Sequence, residues 1–151
     1  MKKIKFQDLS EREQNLILIA QKARERAYAP YSKYKVGAAV LGVNGLIFRG
    51  CNVETATYSQ TTHAERVAIC SMVVAFGVRE IKALACVAKD GGAPCAECRQ
   101  VIWEFCGGDP NVKIIGANAD LSEIQVFTIA ELYPYAFGPK DLGIEPEKFR
   151  S

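Results

Sequence analysis

The 151-residue chain carries nineteen Lys and Arg against seventeen Asp and Glu, a net charge of +2, so no broad basic face is available to neutralise nucleic-acid phosphates. Apolar residues at 49% and charged residues at 24% place it in the ordinary globular range and exclude disordered and fibrous classes. No apolar run approaches the roughly 20 residues that span a bilayer, and the charged stretch after Met1-Lys-Lys-Ile-Lys5 lacks the features of an export signal, so a cytoplasmic protein with no membrane partner is expected.

Ser10-Glu-Arg-Glu13 reads as a capping box, and Leu16, Ile17, Ala20, Ala23, Arg24 and Ala27 follow it at helical spacing until Pro30 stops the run. Two β-rich segments, Lys35 to Val43 and Leu46 to Val53, meet at Asn44-Gly45, a strong hairpin signal. Ala64 to Phe76 is apolar and Ala-rich and is closed by Gly77, which predicts a buried helix with a glycine C-cap. Ile81 to Ala88 has the composition of a strand covered on both faces and is expected at the centre of the sheet.

After the turn cluster Asp90-Gly-Gly-Ala-Pro94, a helix is predicted over Ala96 to Phe105, ended by Gly107-Gly108. Val112 to Ala117 and Ile124 to Ile129 read as the last two strands, with a short helix from Thr128 to Leu132 cut off by Pro134. This order predicts one α/β domain over residues 1–151, with helices on a mixed five-stranded sheet. The connection from Ala117 to Ile124 is too short for a parallel crossover, which takes about a dozen residues or more, so the last two strands should pair antiparallel.

The six cysteines stand at 51, 70, 86, 95, 98 and 106. In a chain with an adequate core and no export signal, thiols or metal ligands are expected rather than disulfides. His63 is the only histidine and stands where a helix should begin; alone, such a residue is more often a cap or an ordinary hydrogen-bonded side chain. Pro94-Cys95-Ala-Glu-Cys98 sets two thiols at a second helix start, where helix-end amides favour thiolate and suit zinc and redox chemistry equally.

Taken together, His63, Cys95 and Cys98 supply three ligands for one zinc ion, one short of a closed structural site. The fourth position is then free for water. Glu65 lies two residues after His63, either as a proton shuttle beside the metal or as an acidic residue favourable to a helix start. Cys51, Cys70, Cys86 and Cys106 are read as packing residues.

His-x-Glu combined with Pro-Cys-x-x-Cys is the recognised pattern of zinc-dependent nucleobase deaminases, and the likeness reaches further. Pro30-Tyr-Ser-Lys-Tyr-Lys-Val-Gly-Ala-Ala39, Gly50-Cys-Asn-Val-Glu54, His63-Ala-Glu-Arg66, Pro94-Cys-Ala-Glu-Cys-Arg-Gln100 and Phe137-Gly-Pro-Lys-Asp-Leu142 together resemble the cytidine deaminase family, in the family's order. The resemblance implies a three-layer cytidine-deaminase-like fold, one Zn²⁺ per subunit and a homotetramer of the compact type. It also implies hydrolytic deamination of cytidine and deoxycytidine, with release of ammonia, as in pyrimidine salvage. Glu65 would carry protons from water to the ring nitrogen and the departing amine.

By the same resemblance, Asn52 and Glu54 bind the ribose hydroxyls of a pyrimidine nucleoside, and the Ala64 amide meets the pyrimidine O2. The Ala93 carbonyl holds the amine, Tyr34 lines the site where the family usually has Phe, and Arg66 hydrogen-bonds the zinc thiolates. Phe137 would reach the site of a neighbouring subunit. The chain departs from the family at His63, where compact members commonly carry a third cysteine, at Glu97, and at Thr55, Ser59 and Gln60. These departures leave room for an alternative substrate range of modified cytosine nucleosides, N4-substituted or blasticidin-like. An editing deaminase is opposed by the short last connection, and a non-catalytic zinc module is the remaining alternative.

Overall fold

The structure is a computed structural model that describes residues 2–77 and 80–145. Six strands form one mixed sheet: β1 (Lys2–Ile4), β2 (Gly37–Gly42), β3 (Ile47–Cys51), β4 (Ile81–Ala88), β5 (Lys113–Asn118) and β6 (Ile124–Thr128). Their order is β1-β6-β5-β4-β2-β3. Four helices accompany it: α1 (Glu11–Arg24), α2 (Ala64–Phe76), α3 (Ala96–Phe105) and the short α4 (Ile129–Leu132).

Strand periodicity divides the core into two layers. On one face, Ala39, Leu41, Ala85, Val87 and Ile115 pack against Leu16, Ile17 and Ala20 of α1. On the other, Ala38, Val40, Leu84 and Cys86 meet Ala68, Ile69 and Met72 of α2, Ile102 of α3 and Ile129 of α4. The result is the expected three-layer sandwich. Strand β4 is interior, antiparallel to β2 and parallel to β5, while β5 and β6 pair antiparallel as their short connection requires.

The sheet has six strands rather than five. The extra one, β1, lays Lys2–Ile4 along β6 in antiparallel register. Three residues offer no hydrophobic period, and this strand exists only because β6 presents an unpaired edge to it. Helix α1 also ends earlier than the sequence pattern suggests, at Arg24 rather than near Pro30. The residue before a proline is pushed away from helical backbone, and Tyr28 is claimed elsewhere: its N–H donates to Asn52 O and its carbonyl accepts from Glu54 N–H.

The first two helices show how local chemistry sets their ends. Ser10 and Glu13 form the capping box at α1, and Gly77, at φ 64°, closes α2 in the left-handed conformation. Gly50 on β3 has a different role. A Cβ there would lie 2.3 Å from Ala64 O and 2.5 Å from Ala68 N, so only glycine lets the first turns of α2 settle onto the sheet. Gly50→Ala should therefore lower stability by about 1–3 kcal/mol, through overpacking against rigid backbone. Thermal denaturation would read this as a lowered Tm. Among the described residues, no helix is long and apolar enough to cross a membrane.

Candidate metal centre and substrate cavity

The register of the sheet brings four separated segments to one end. Gly37 pairs with both Cys51 and Val87, so the chain entering β2, the chain leaving β3 and the carboxyl end of β4 lie side by side. Helices α2 and α3 start above this end, with His63 and Cys95 as their N-cap residues. Neither side chain makes a cap hydrogen bond. Both are left free for another ligand, unlike Ser10 and Thr128, which cap α1 and α4.

His63, Cys95 and Cys98 converge, with their ligand atoms all within 4.8 Å of one another. His63 Nδ1 lies 3.3 Å from both Cys95 Sγ and Cys98 Sγ. Tetrahedral zinc bound at ordinary Zn–N and Zn–S lengths separates nitrogen from sulfur by roughly 3.5 Å. The donor set and spacing therefore fit zinc, and no fourth protein ligand joins the group among the described residues. Cys98 is buried while Cys95 is exposed. Burial, reinforced by the Glu65 carboxylate and by Cys95, pushes the Cys98 thiol far above its usual range, so the metal-free site holds it protonated.

Glu65, on the first turn of α2, is only 5% exposed and accepts from Cys98 Sγ at 3.4 Å. It faces a cavity of about 400 Å³ whose lining also includes Ser32, Tyr34, Asn52, Glu54, His63 and Ala93. That is ample for a small ligand, and no Lys or Arg stands among its described lining residues. A second cleft, lined by Lys2, Lys3, Lys5 and the 122–125 segment, shares none of these residues.

Asn52 and Glu54 reach the cavity together because residues 52–54 are extended, with Val53 bridged to Tyr28 on one side and Thr62 on the other. Alternation then turns 52 and 54 to one face and the half-exposed Val53 to the other. Asn52 Oδ1 accepts from Val36 N–H at 2.8 Å and its Nδ2 donates to Tyr34 O at 2.9 Å. Glu54 accepts from the Ser32 hydroxyl and from the amides of Tyr31 and Ser32, at 2.9 and 3.2 Å. The Ser32 hydroxyl, outweighing burial and aided by those amides, holds the Glu54 carboxyl below its ordinary value. Both side chains thus brace the 31–36 loop as well as facing the cavity.

The other expected residues are spread more widely. Ala64 opens α2 and is fully buried, and Ala93 follows Gly92, whose φ of 106° belongs to glycine. Arg66 donates to Glu97 Oε2 at 3.1 Å, which ties the first turns of α2 and α3 together beside the ligands. Phe137 is half-exposed and outside its own chain's cavity, its carbonyl accepting from Gln100 Nε2 at 3.1 Å.

Sequence reasoning missed three supporting residues. Ser32 stands in the Pro-Tyr-Ser stretch, where a serine two residues before a turn tyrosine was the available signal. Gln100 joins Phe137 to the Tyr133 hydroxyl. Arg99 clamps Pro94 O at 2.7 Å and Leu132 O at 2.9 Å, fixing the entry to α3. For these last two, no spacing rule points to a distant carbonyl.

The chain resembles known proteins in sequence and in fold. Residues 10–114 match the family model described as the cytidine and deoxycytidylate deaminase zinc-binding region. A cytidine deaminase of Sporosarcina psychrophila is 47% identical over 137 residues, covering 89% of this chain and 98% of that protein. One from Halalkalibacterium halodurans is 43% identical, over 85% of this chain and 96% of its own length. The crystal structure of cytidine deaminase from Burkholderia pseudomallei superposes with a TM-score of 0.76 at 38% identity, over 85% of this chain and all of that one. With its three convergent ligands inside the matched region, this chain belongs to the cytidine and deoxycytidylate deaminase family of zinc-binding proteins.

Proposed function

We propose that the chain is a cytoplasmic zinc-dependent hydrolase that deaminates cytidine and deoxycytidine to uridine and deoxyuridine, releasing ammonia. One observation carries the reading: three protein ligands meet beside a buried carboxylate at the wall of a cavity whose lining also offers Asn52 and Glu54. His63, Cys95 and Cys98 would hold zinc, which when bound would supply Lewis acidity and lower the pKa of a water towards about 7. Glu65 takes a proton from the attacking water and passes it to ring N3 as the water oxygen bonds to C4. Glu65 then takes the remaining proton from the new C4 hydroxyl, whose oxygen becomes the carbonyl, and delivers it to the exocyclic nitrogen as the C4–N bond breaks to release ammonia.

The remaining residues orient the nucleoside. Asn52 retains one donor and one acceptor site beyond its loop bonds, and Glu54 retains acceptor capacity, which suits sugar hydroxyls. The Ala64 amide, at the N-terminus of α2, donates to the pyrimidine O2, and the Ala93 carbonyl accepts from the amine. Tyr34 flanks the sugar, and Arg66 places a positive charge beside the thiolates that it shares with Glu97.

A homotetramer is part of this reading. Phe137, Leu142 and Tyr135 are exposed apolar side chains near the chain's end, and Val74 and Phe76 stand out from α2, more than a lone subunit needs. Phe137 would then complete a neighbouring subunit's cavity. Among the described residues, no Lys or Arg lines the cavity to meet a phosphate, so a nucleoside fits better than a nucleotide.

The test is an ammonia-release screen with zinc analysis on the same preparation. Cytidine and deoxycytidine should turn over with one zinc per chain, while deoxycytidine 5′-monophosphate should be slower by about 100-fold or more for want of a cationic partner. Preference for the nucleotide, or turnover of N4-methylcytidine alone, would overturn the reading in favour of a nucleotide or modified-nucleoside enzyme.

A further inference from the structure

We infer that Ser32 is a positioning residue for sugar recognition, holding the Glu54 carboxylate in the orientation that leaves a single acceptor site for one ligand hydroxyl. The inference rests on the reading of Glu54 as a contact to the sugar. Its basis is the hydrogen-bond accounting of that carboxylate. A carboxylate offers about four lone-pair sites. Glu54 Oε2 accepts from the Tyr31 and Ser32 amides, and Oε1 accepts from the Ser32 hydroxyl. Three sites are filled by the loop, and the one remaining lies on Oε1.

The backbone supports the same conclusion independently. Ser32 Oγ also accepts from Tyr34 N–H at 2.9 Å, so the hydroxyl hydrogen is directed away from the turn and towards Glu54. Between them Lys33 sits at φ 59°, a left-handed conformation that costs a non-glycine residue energy and persists where surrounding bonds impose it. Asn52 fixes the far end of the loop at Tyr34 O and Val36 N. Ser32, Tyr34, Asn52 and Glu54 all line the cavity. A left-handed turn, a hydroxyl bonded on both sides and a nearly saturated carboxylate together describe an acceptor set in place before any ligand arrives. Such preorganisation lowers the ordering cost of binding.

The two acceptor sites on Oε1 have different occupants, and this sets the expected specificity. Without the Ser32 hydroxyl, Oε1 turns to water, and its preference for one sugar hydroxyl is lost. Ser32→Ala should reduce the ratio of kcat/KM for cytidine over 2′,3′-dideoxycytidine by about tenfold, as expected for loss of one hydrogen bond to a charged group. The change should fall mainly on KM for cytidine. Ser32→Thr, which keeps the hydroxyl, should restore the ratio.

Glu54→Ala separates the role of Glu54 from that of Ser32. If Glu54→Ala leaves the cytidine to dideoxycytidine ratio at its wild-type value, the reading of Glu54 as a sugar contact fails. If Glu54→Ala collapses the ratio while Ser32→Ala leaves it unchanged, the assignment of Ser32 is overturned and that of Glu54 stands. In the double variant, Ser32→Ala should cause no further loss, because its effect passes through Glu54; an additive loss would also overturn it. Zinc content is measured for each protein to confirm that the comparison is made on loaded enzyme. Should Ser32→Ala give no soluble protein, Ser32→Cys keeps the volume while weakening the donor, and the same ratio decides.

Discussion

Glu65→Gln yields a folded protein that keeps its zinc and loses turnover by about 10²–10⁴-fold, the range expected when a positioned proton-transfer group is removed. Glutamine matches glutamate in shape, so the buried pocket that leaves Glu65 only 5% exposed is not emptied. Glu65 stands outside the convergent ligand group, so metal content should remain at one ion per chain. The loss should fall on kcat, because the carboxylate acts on protons that move during reaction rather than on the bound nucleoside. Steady-state kinetics with metal analysis on the same samples checks this. Activity within tenfold of wild type would remove Glu65 from the mechanism, and loss of zinc would show the carboxylate to be a ligand.

The second large effect concerns the metal itself. Cys98→Ala deletes a buried thiolate ligand and should leave a protein with little zinc and no measurable turnover. The unaltered protein offers a finer readout. Because burial and the neighbouring Glu65 hold the metal-free Cys98 thiol well above its usual range, zinc binding at neutral pH must displace a proton from it. The sign follows directly: below that raised value protons compete for the sulfur, so zinc affinity falls as pH falls, by about tenfold per pH unit for each proton displaced. Calorimetric titration of zinc into stripped protein, in buffers of differing ionisation enthalpy, counts the protons released. Affinity independent of pH between about 6 and 8 would contradict a protonated buried thiol.

The parts of the fold legible from sequence were those whose signals are local. Asn44-Gly45 marks its hairpin within two residues, Gly77 caps α2 beside it, and Ser10 with Glu13 marks the start of α1. The antiparallel end of the sheet followed from one connection length. Strand β1 and the end of α1 were not legible, because one depends on a partner at residues 124–126 and the other on Tyr28 pairing with 52–54.

The metal centre followed the same rule. Cys95 and Cys98 share one helix start, where spacing along the chain still predicts spacing in space, while His63 joins them from another helix start, and the three do converge. Asn52 and Glu54 came from resemblance alone, and their bonds to the 31–36 loop show what spacing could not: these residues shape the cavity as well as facing it. Arg66 was expected at the thiolates through the same resemblance; the bond it makes in the structure is to Glu97, a partner that no spacing along the chain points to.

The short β1 strand carries a consequence for the order of assembly. Lys2 pairs with Val126 and Ile4 with Ile124, so β1 depends on a partner strand far along the chain. Every group of the metal centre and cavity lies between Tyr28 and Cys98, in segments joined by shorter loops. Loop-closure entropy therefore favours closing the zinc-binding end of the sheet before the far edge. Until residues 124–126 have emerged, the amino-terminal strand has no edge to join, and its lysines keep it solvated while it waits.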